Sequence, residues 1–415
     1  MKGKITSWGN TSTKTVETFD DFYSHLSPVI AYGNNNSYGD SAITASNYAI
    51  KYKKNSERPY IVNQTIEDYV NNNMVSLYGI PGKRNVTIAG AVASDAHGKD
   101  NLWGGSFIKN IDQITLKTSS GKIIKASRER NSEIFYSTVG GYGLTGIIID
   151  IKMVNNKAAL HREYFTEINI GEGLEDLFSN FKYENGCYWV AWVDLSNKKY
   201  RWYSEKSKPI KTLKSIEIKK KVEKEYSFSL PFIGMNKYKS LELMNKVFLL
   251  SKGIRKSTIK SYMDVYYPLS KTSNTKNFAK NRKIIQIQFS IPLENTHKVR
   301  KLIELICTKN NVILCSVKRL SSNESNINLS FVQNGWTFAL DFAYDTFNYS
   351  NIREFYDLIS QYNGLIYLAK DSTLNQDEFK KIYKNYNEWK AVLKSLDPNK
   401  DFQSELSMRL GLKNW

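Results

Sequence analysis

Between Ile80 and Asn101 the chain reads IPGKRNVTIAGAVASDAHGKDN, and nothing bulkier than Val92 or Asp95 stands between Ala89 and Ala96. Such a stretch can bring its backbone close to a ligand, because few side chains stand in the way. A Pro-Gly turn opens it, Val86-Thr87-Ile88 reads as a short strand, and the small residues follow. Successive N–H groups in small-residue turns form a concavity that suits an anion such as a pyrophosphate. A second turn-rich segment, VIAYGNNNSYGDSA from Val29 to Ala42, reads as a strand entering a Gly/Asn turn.

A third glycine cluster tests one specific fold. Gly141, Gly143 and Gly146 satisfy GxGxxG. The dinucleotide fingerprint needs a strand before it and a helix after it. Here Glu133 to Val139 reads as a short helix and Gly146 to Val154 as a buried strand, the reverse order. The pattern makes a tight turn and excludes the doubly wound fold.

Farther on, strands and helices alternate. Tyr188 to Leu195 has strand character. From Ile284 to Ile291, Gln286 and Gln288 share one face while Ile285, Ile287 and Phe289 share the other. Thr337, Ala339 and Asp341 likewise share a face against Phe338, Leu340 and Phe342. Thr296 to Cys307 is an amphipathic helix. Near Gly364 the pattern changes: LIYLAKD reads as a strand with Lys370 inside it, and Phe379, Ile382, Tyr383, Tyr386, Trp389, Val392 and Leu393 predict one helix ended by Asp397-Pro398.

Length and composition set outer limits. The 415 residues suffice for two cored domains, and 41% hydrophobic with 24% charged is ordinary for a folded chain. Cys187, Cys307 and Cys315 are too few and too scattered for a disulfide framework or a CxxC metal site, and no metal is expected. Met1 to Asn10 lacks an apolar signal core, and no stretch approaches the length of a membrane span. A cytoplasmic location is expected. The 59 Lys and Arg against 40 Asp and Glu leave a formal charge of +19, which attracts polyanions. A nucleic-acid-binding reading therefore stands as an alternative, but the basic residues are dispersed and no recognition motif accompanies them, so nucleic acid is not the expected partner.

The motifs, taken in order, resemble FAD oxidoreductases of the vanillyl-alcohol-oxidase and para-cresol-methylhydroxylase type, and in particular the decaprenylphosphoryl-ribose 2′-oxidase branch. The segments that carry the likeness are SWGNTSTKTV at Ser7, YGNNNSYGDSA at Tyr32, PGKRNVTIAGAVASDAHGKDN at Pro81, GSFIKNI at Gly105 and FYSTVGGYGLTGII at Phe135. They continue with YYPLS at Tyr266, IQIQFSIP at Ile285, GWTFALDF at Gly335 and GLIYLAKDS at Gly364. The resemblance implies an α+β fold: a two-part FAD-binding domain from residues 1–157 and 364–415, and an antiparallel-sheet substrate cap domain from 158–363.

It also implies roles. Gly82, Gly90, Ala93, Ser94 and His97 match the loop around the FAD pyrophosphate and ribityl chain. Gly143 and Ile148 match adenine-side contacts, Tyr367 a flavin contact, and Asn36 and Ser37 the turn against the flavin. Lys370, Tyr38 and Lys318 are the catalytic candidates. Trp192, Tyr266, Gln286, Gln288 and Asp341 are the substrate contacts. A fixed cation such as Lys370 stabilises negative charge as it develops on a reduced flavin. Lys318 suits a substrate phosphate or polarises the hydroxyl, and the glutamine pair suits sugar hydroxyls.

There are departures. Asn36 replaces the histidine that links FAD covalently in many relatives, so non-covalent FAD is expected. Ala339 stands where the ribose oxidases have a cysteine, and Tyr142 where they have an asparagine. The interval from Tyr38 to Gly82 is shorter by roughly a dozen residues, about one short hairpin. The implied activity is oxidation of a secondary hydroxyl on a polyprenyl-phosphate-linked sugar, with a short-chain reductase completing an epimerisation. An aldonolactone or alditol oxidase using oxygen is the alternative. The basic stretch Lys208 to Lys224, followed by YSFSLPFIGM from Tyr226, suggests peripheral contact with an anionic membrane, since each lysine near such a surface contributes roughly 1 kcal/mol.

Overall fold

The computed structural model describes residues 2–51, 61–155, 158–210, 256–268, 283–322, 324 and 326–415. All of the basic stretch after Ile210, all of Tyr226 to Met235, and Leu269-Ser270 of the YYPLS segment lie outside the described residues.

The fold is α+β, and its fourteen described strands form three sheets. The first sheet joins β1 (Lys2–Thr6) antiparallel to β2 (Thr13–Phe19), and β2 parallel to β3 (Tyr48–Ile50). The second places β4 (Ile111–Lys117) between β5 (Ile123–Ser127) and β6 (Ile147–Met153), both antiparallel to it. The third is an eight-stranded antiparallel sheet. It comprises β7 (Glu163–Glu172), β8 (Tyr188–Val193), β9 (Arg201–Pro209), β10 (Ser257–Ser261), β11 (Ile284–Pro292), β12 (Val312–Leu320), β13 (Gly335–Ala343) and β14 (Leu365–Ile366). Their order is β10-β7-β9-β8-β12-β13-β11-β14.

The period-two reading of β11 and β13 explains how this sheet sits. Ile285, Ile287, Phe289 and Ile291 join Trp336, Phe338, Leu340 and Phe342 in one core. Against them pack Val299, Leu302, Ile303 and Ile306 of the helix Val299–Cys307, and Ile352, Phe355 and Ile359 of the helix Ile352–Gln361. Phe289 stacks on Phe338 at 5.2 Å and meets Phe355 edge-on at 5.4 Å. With one face committed to helices, the polar face of Gln286, Gln288, Thr337 and Asp341 turns the other way.

The last fifty residues return to the first. After β14 has added to the edge of the large sheet, Phe402 bridges Val29 and Ser404 bridges Thr44. Trp389 donates its indole N–H to Ser137 O at 2.9 Å, and Lys413 donates to Leu144 O at 3.0 Å.

Four local expectations need correction. Val86-Thr87-Ile88 is no strand: Ile88–Ala93 is a helix, and Thr87 caps it by accepting from the Gly90 N–H at 3.1 Å. LIYLAKD is extended only at Leu365–Ile366 and then turns, so Lys370 stands on a turn rather than in a strand. The C-terminal helix is two, Gln376–Ile382 and Tyr386–Leu396, although the apolar spacing runs through the break. Val29 to Ala42 enters with isolated bridges at Val29 and Ala31 and forms no strand. The GxGxxG turn does lie between a helix, Ser132–Thr138, and a strand, β6.

Candidate active site

The polar face of the large sheet, the helix Ile88–Ala93 and the turns around them enclose a cavity of about 310 Å³. Each wall follows from local chemistry. Gly33 and Gly90 both crowd Thr87: a Cβ on Gly33 would come 2.5 Å from Thr87 Oγ1, and one on Gly90 2.8 Å. The turn at Gly33 and the helix start therefore close on the same hydroxyl. Behind them Tyr142 adopts a left-handed φ of 54° and donates its N–H to Ala93 O at 2.8 Å, bringing Gly143 to the cavity.

Of the sequence candidates, Asn36, Ser37, Tyr38, Gly82, Gly90, Ala93, Ser94, His97, Gly143, Trp192, Gln286, Lys318, Asp341, Tyr367 and Lys370 line this cavity. Ile148, Tyr266 and Gln288 do not. Ile148 is buried in β6, in the same core cluster as Ile88 and Val92. Tyr266 is buried in a hydroxyl cluster, accepting from Tyr164 at 3.1 Å and lying 3.3 Å from Tyr188 Oη. Gln288 stands one layer back and acts through His97.

That second-layer contact fixes two proton positions. Thr337 donates its hydroxyl hydrogen to Phe289 O at 2.9 Å, so it can only accept from Gln288, whose Nε2 lies 2.9 Å away. The same nitrogen lies 2.9 Å from His97 Nε2, which must then be an acceptor. His97 is thus protonated on Nδ1, and burial, with the charges of Lys318 and Lys370, lowers its pKa well below the usual histidine range. Its ring packs against Phe331 at 5.3 Å and Tyr367 at 4.9 Å, which touch each other at 5.0 Å, and the Tyr367 hydroxyl donates to Ser94 O at 2.9 Å.

The catalytic candidates converge. Tyr38 donates its N–H to Ala369 O at 3.1 Å, and Lys370 Nζ lies 5.5 Å from the Tyr38 ring centroid. Burial brings Lys370 down to about 8, opposed by the charge of Asp341. Lys318 falls to about 7 through burial, then the like charge of Lys370. Asp341 is pushed up to about 6 by burial, against the hydrogen bond from Gln286 and the charges of Lys370 and Lys83. Asn36 donates its side-chain amide to Asn85 O at 3.0 Å.

Sequence reasoning missed Trp8, Lys83 and Lys99 on the same walls. Trp8 lies on the loop between β1 and β2, where its ring meets Tyr38 at 4.2 Å and Lys83 Nζ at 3.2 Å from its centroid. Lys99 Nζ donates to Val265 O at 2.8 Å, and burial lowers its pKa to about 8. Both lysines flank the small-residue run, which was the available signal. Among the described residues no His, Cys, Asp and Glu cluster could hold a metal.

The wall fits a flavin dinucleotide. Small residues leave backbone exposed along one side, and the buried His97 Nδ1, Asn35 Oδ1 and Gln286 Oε1 have no hydrogen-bond partner among the described residues. Aromatic rings and cations occupy the other side. An α+β fold with such a site suits a flavin-dependent oxidoreductase. Comparison with known proteins gives the family: a model of the D-arabinono-1,4-lactone oxidase family matches residues 200–410. The chain belongs to that family and is an FAD-dependent oxidoreductase of CH–OH groups. It is similar to decaprenylphosphoryl-β-D-ribose oxidase of Mycolicibacterium smegmatis, 25% identical over 80% of this chain and 75% of that protein. A shorter match, 27% identical over 20% of this chain and 16% of the relative, is to cytokinin dehydrogenase 2 of Arabidopsis thaliana.

Proposed function

We propose that the chain oxidises a secondary hydroxyl of a polyprenyl-phosphate-linked sugar in cell-envelope glycan synthesis, using non-covalent FAD. The observation that carries this reading is the cationic wall: Lys318 of the sheet, Lys370 of the turn after it and Lys99 line a cavity that Gln286 also lines. Two roles follow, an anion-binding role suited to a sugar phosphate and a hydroxyl-reading role suited to the sugar. The similarity to a decaprenylphosphoryl-ribose oxidase over most of the chain supports the same substrate class.

FAD, when bound, supplies the acceptor for the hydride from the carbinol carbon. The residues do the rest. Gly82, Gly90, Ala93, Ser94 and Gly143 would hold the dinucleotide against backbone, with His97 Nδ1–H a buried donor beside it. Lys370 would stabilise negative charge developing at the flavin. Lys318 would hold the phosphate, Gln286 a sugar hydroxyl, and Trp192 the sugar face. Asn36 has an amide engaged by Asn85 and no imidazole to offer, which favours non-covalent FAD.

In this reading residues 1–157 and 364–415 form the FAD-binding part and 158–363 the substrate cap. A short-chain reductase would return the ketone as the epimeric alcohol. No helix among the described residues is long and apolar enough to cross a membrane. Access to a lipid-linked substrate would come through peripheral contact at an anionic cytoplasmic surface. A second reading, an aldonolactone or alditol oxidase that uses oxygen, is favoured by the family match itself.

Trapping the product separates them. After incubation with a polyprenyl-phosphate pentose, borodeuteride reduction should place deuterium at one ring carbon. Peroxide release with free aldonolactones or alditols, and no deuterium in the lipid-linked pentose, would favour the second reading.

A further inference from the structure

Oxidising a carbinol removes a hydride and a proton, and the residues named so far account only for charge and orientation. The hydroxyl proton needs an acceptor on the cavity wall. His97 cannot serve: its Nε2 already accepts from Gln288 and its Nδ1 already carries hydrogen. Tyr38 is held well above its ordinary pKa, chiefly by burial, and stays a hydroxyl donor. The roles given above to Lys318 and Lys370 require the ammonium form, which has no lone pair to offer, while Lys83 sits as a cation over the Trp8 ring and Lys99 donates to Val265 O.

One carboxylate lines the cavity among the described residues, Asp341. It sits on β13 directly across from Gln286 of β11 in the strand register. The Gln286 side-chain amide donates to its Oδ1, which fixes the carboxylate plane. It is 8% exposed, so it meets the cavity at its edge and is otherwise packed.

We propose that Asp341 is the catalytic base that takes the substrate's hydroxyl proton. The inference rests on the reading of the chain as a sugar-alcohol oxidoreductase. In the step, the substrate O–H bond breaks and its proton passes to an Asp341 oxygen. The C–H bond breaks with its electron pair leaving to the FAD that this enzyme class supplies, and the carbonyl double bond forms. The alcohol loses two electrons, the cofactor gains them, and Asp341 afterwards returns the proton to water. Burial holds the Asp341 carboxyl near 6, against Gln286, Lys370 and Lys83, so it is ionised and able to accept at neutral pH. Tyr38 and the Cys315 thiol also feel its charge. Lys318 on β12, Lys370 on the turn after β14 and Lys99 also titrate near neutrality on the cavity wall, and the buried Asp95 and Asp100 carboxyls are likewise pushed up to about 6.

The test uses FAD-loaded wild type, Asp341→Asn and Asp341→Glu, each mixed anaerobically with the lipid-linked sugar. A general base contributes on the order of a hundredfold or more, so Asp341→Asn should slow flavin reduction at saturating sugar by that factor with FAD content retained. Asp341→Glu should recover part of the rate. The ascending limb of the pH profile, near 6 in wild type, should vanish in Asp341→Asn. Infrared difference spectra taken without substrate across the same pH range should show a carboxylic-acid band that is weaker in Asp341→Asn by one carboxyl, Asp95 and Asp100 supplying the remainder. Wild-type reduction by Asp341→Asn, or an unchanged limb belonging to Lys318 or Lys370, would overturn the inference while leaving the sugar oxidation standing. A wild-type enzyme whose flavin no sugar reduces would remove both.

Discussion

Gln288 Nε2 lies 2.9 Å from His97 Nε2 and thereby ties the large sheet to the loop that follows the helix Ile88–Ala93. This contact keeps a neutral imidazole, with hydrogen on Nδ1, at the cavity wall. Gln288→Leu removes the only amide that fixes that tautomer among the described residues. FAD affinity should fall by one to two orders of magnitude, as about 1–3 kcal/mol for an orphaned buried group implies. Equilibrium dialysis of FAD against the variant checks this.

Lys370→Met keeps the bulk and removes the charge beside Tyr38. Loss of a charge-stabilising donor costs about a hundredfold or more in turnover. The measurement is anaerobic flavin reduction in FAD-loaded protein, with the thermal melt unchanged from wild type.

Binding of an anionic headgroup should depend on pH through Lys318, whose pKa burial lowers to about 7. Below that value the side chain is an ammonium and attracts phosphate; above it the side chain is neutral and the attraction is lost. The Michaelis constant for a phosphate-linked sugar should therefore rise as pH increases through about 7. A neutral sugar should lack this rise, and Lys318→Met should abolish it.

Thiol reagents should leave the enzyme active. None of the three cysteines lines the cavity, and the β13 face carries Ala339 rather than a thiol. Burial pushes the Cys187 thiol up to about 11 and Cys307 to about 12, so neither is a thiolate at neutral pH. Substrate-protected inactivation mapping to any of the three would contradict the placement of β13.

Arg409 clamps the C-terminal segment to the N-terminal one, with Nη2 2.8 Å from Asp40 Oδ1 and Nη1 2.8 Å from Asp371 Oδ2. The Asp371 side chain is fully buried. Arg409→Met would leave that carboxylate unpaired, a loss of about 3–5 kcal/mol. Urea titration should show the shift, and because Asp371 follows Lys370, FAD retention should fall with it.

Much of the site could be read from the chain because period-two alternation survives folding. Gln286, Gln288, Thr337 and Asp341 share a face for the reason their spacing gives. The small-residue run likewise marked a wall of the cavity. Local propensity misled where a tertiary contact decides. Val86-Thr87-Ile88 looks extended because it is β-branched, yet the Thr87 hydroxyl captures the Gly90 N–H and starts a helix. The run around Leu368 is apolar because Leu368 is core, while the backbone there is already turning toward Lys370. Tyr383 keeps helical spacing across a helix break because its hydroxyl reaches Ile366 O at 2.6 Å. Ile148 and Tyr266 occupy positions that a resemblance marks as contacts, and only the packing shows them one layer behind the cavity. Lys83 and Lys99 gain meaning only when Trp8 and Val265 come beside them.

Acid precipitation tests how the cofactor is held. Asn36 cannot form a histidyl link, so all the flavin should appear in the supernatant, as one FAD per chain in the native protein. Flavin in the washed pellet would mean another residue makes a covalent bond.

Liposome flotation tests the membrane contact. Binding to anionic vesicles should be strong at low salt and weak at high salt, because surface charge is screened within about 10 Å at 0.1 M. Equal flotation with neutral vesicles would assign the contact to apolar residues.

The most direct measurement is anaerobic bleaching of the bound flavin. The visible flavin absorption should be lost on mixing with a polyprenyl-phosphate-linked pentose, while free pentoses, alditols and aldonolactones leave it intact. Bleaching by the free sugars alone, with the lipid-linked pentose inert, would contradict the proposed substrate.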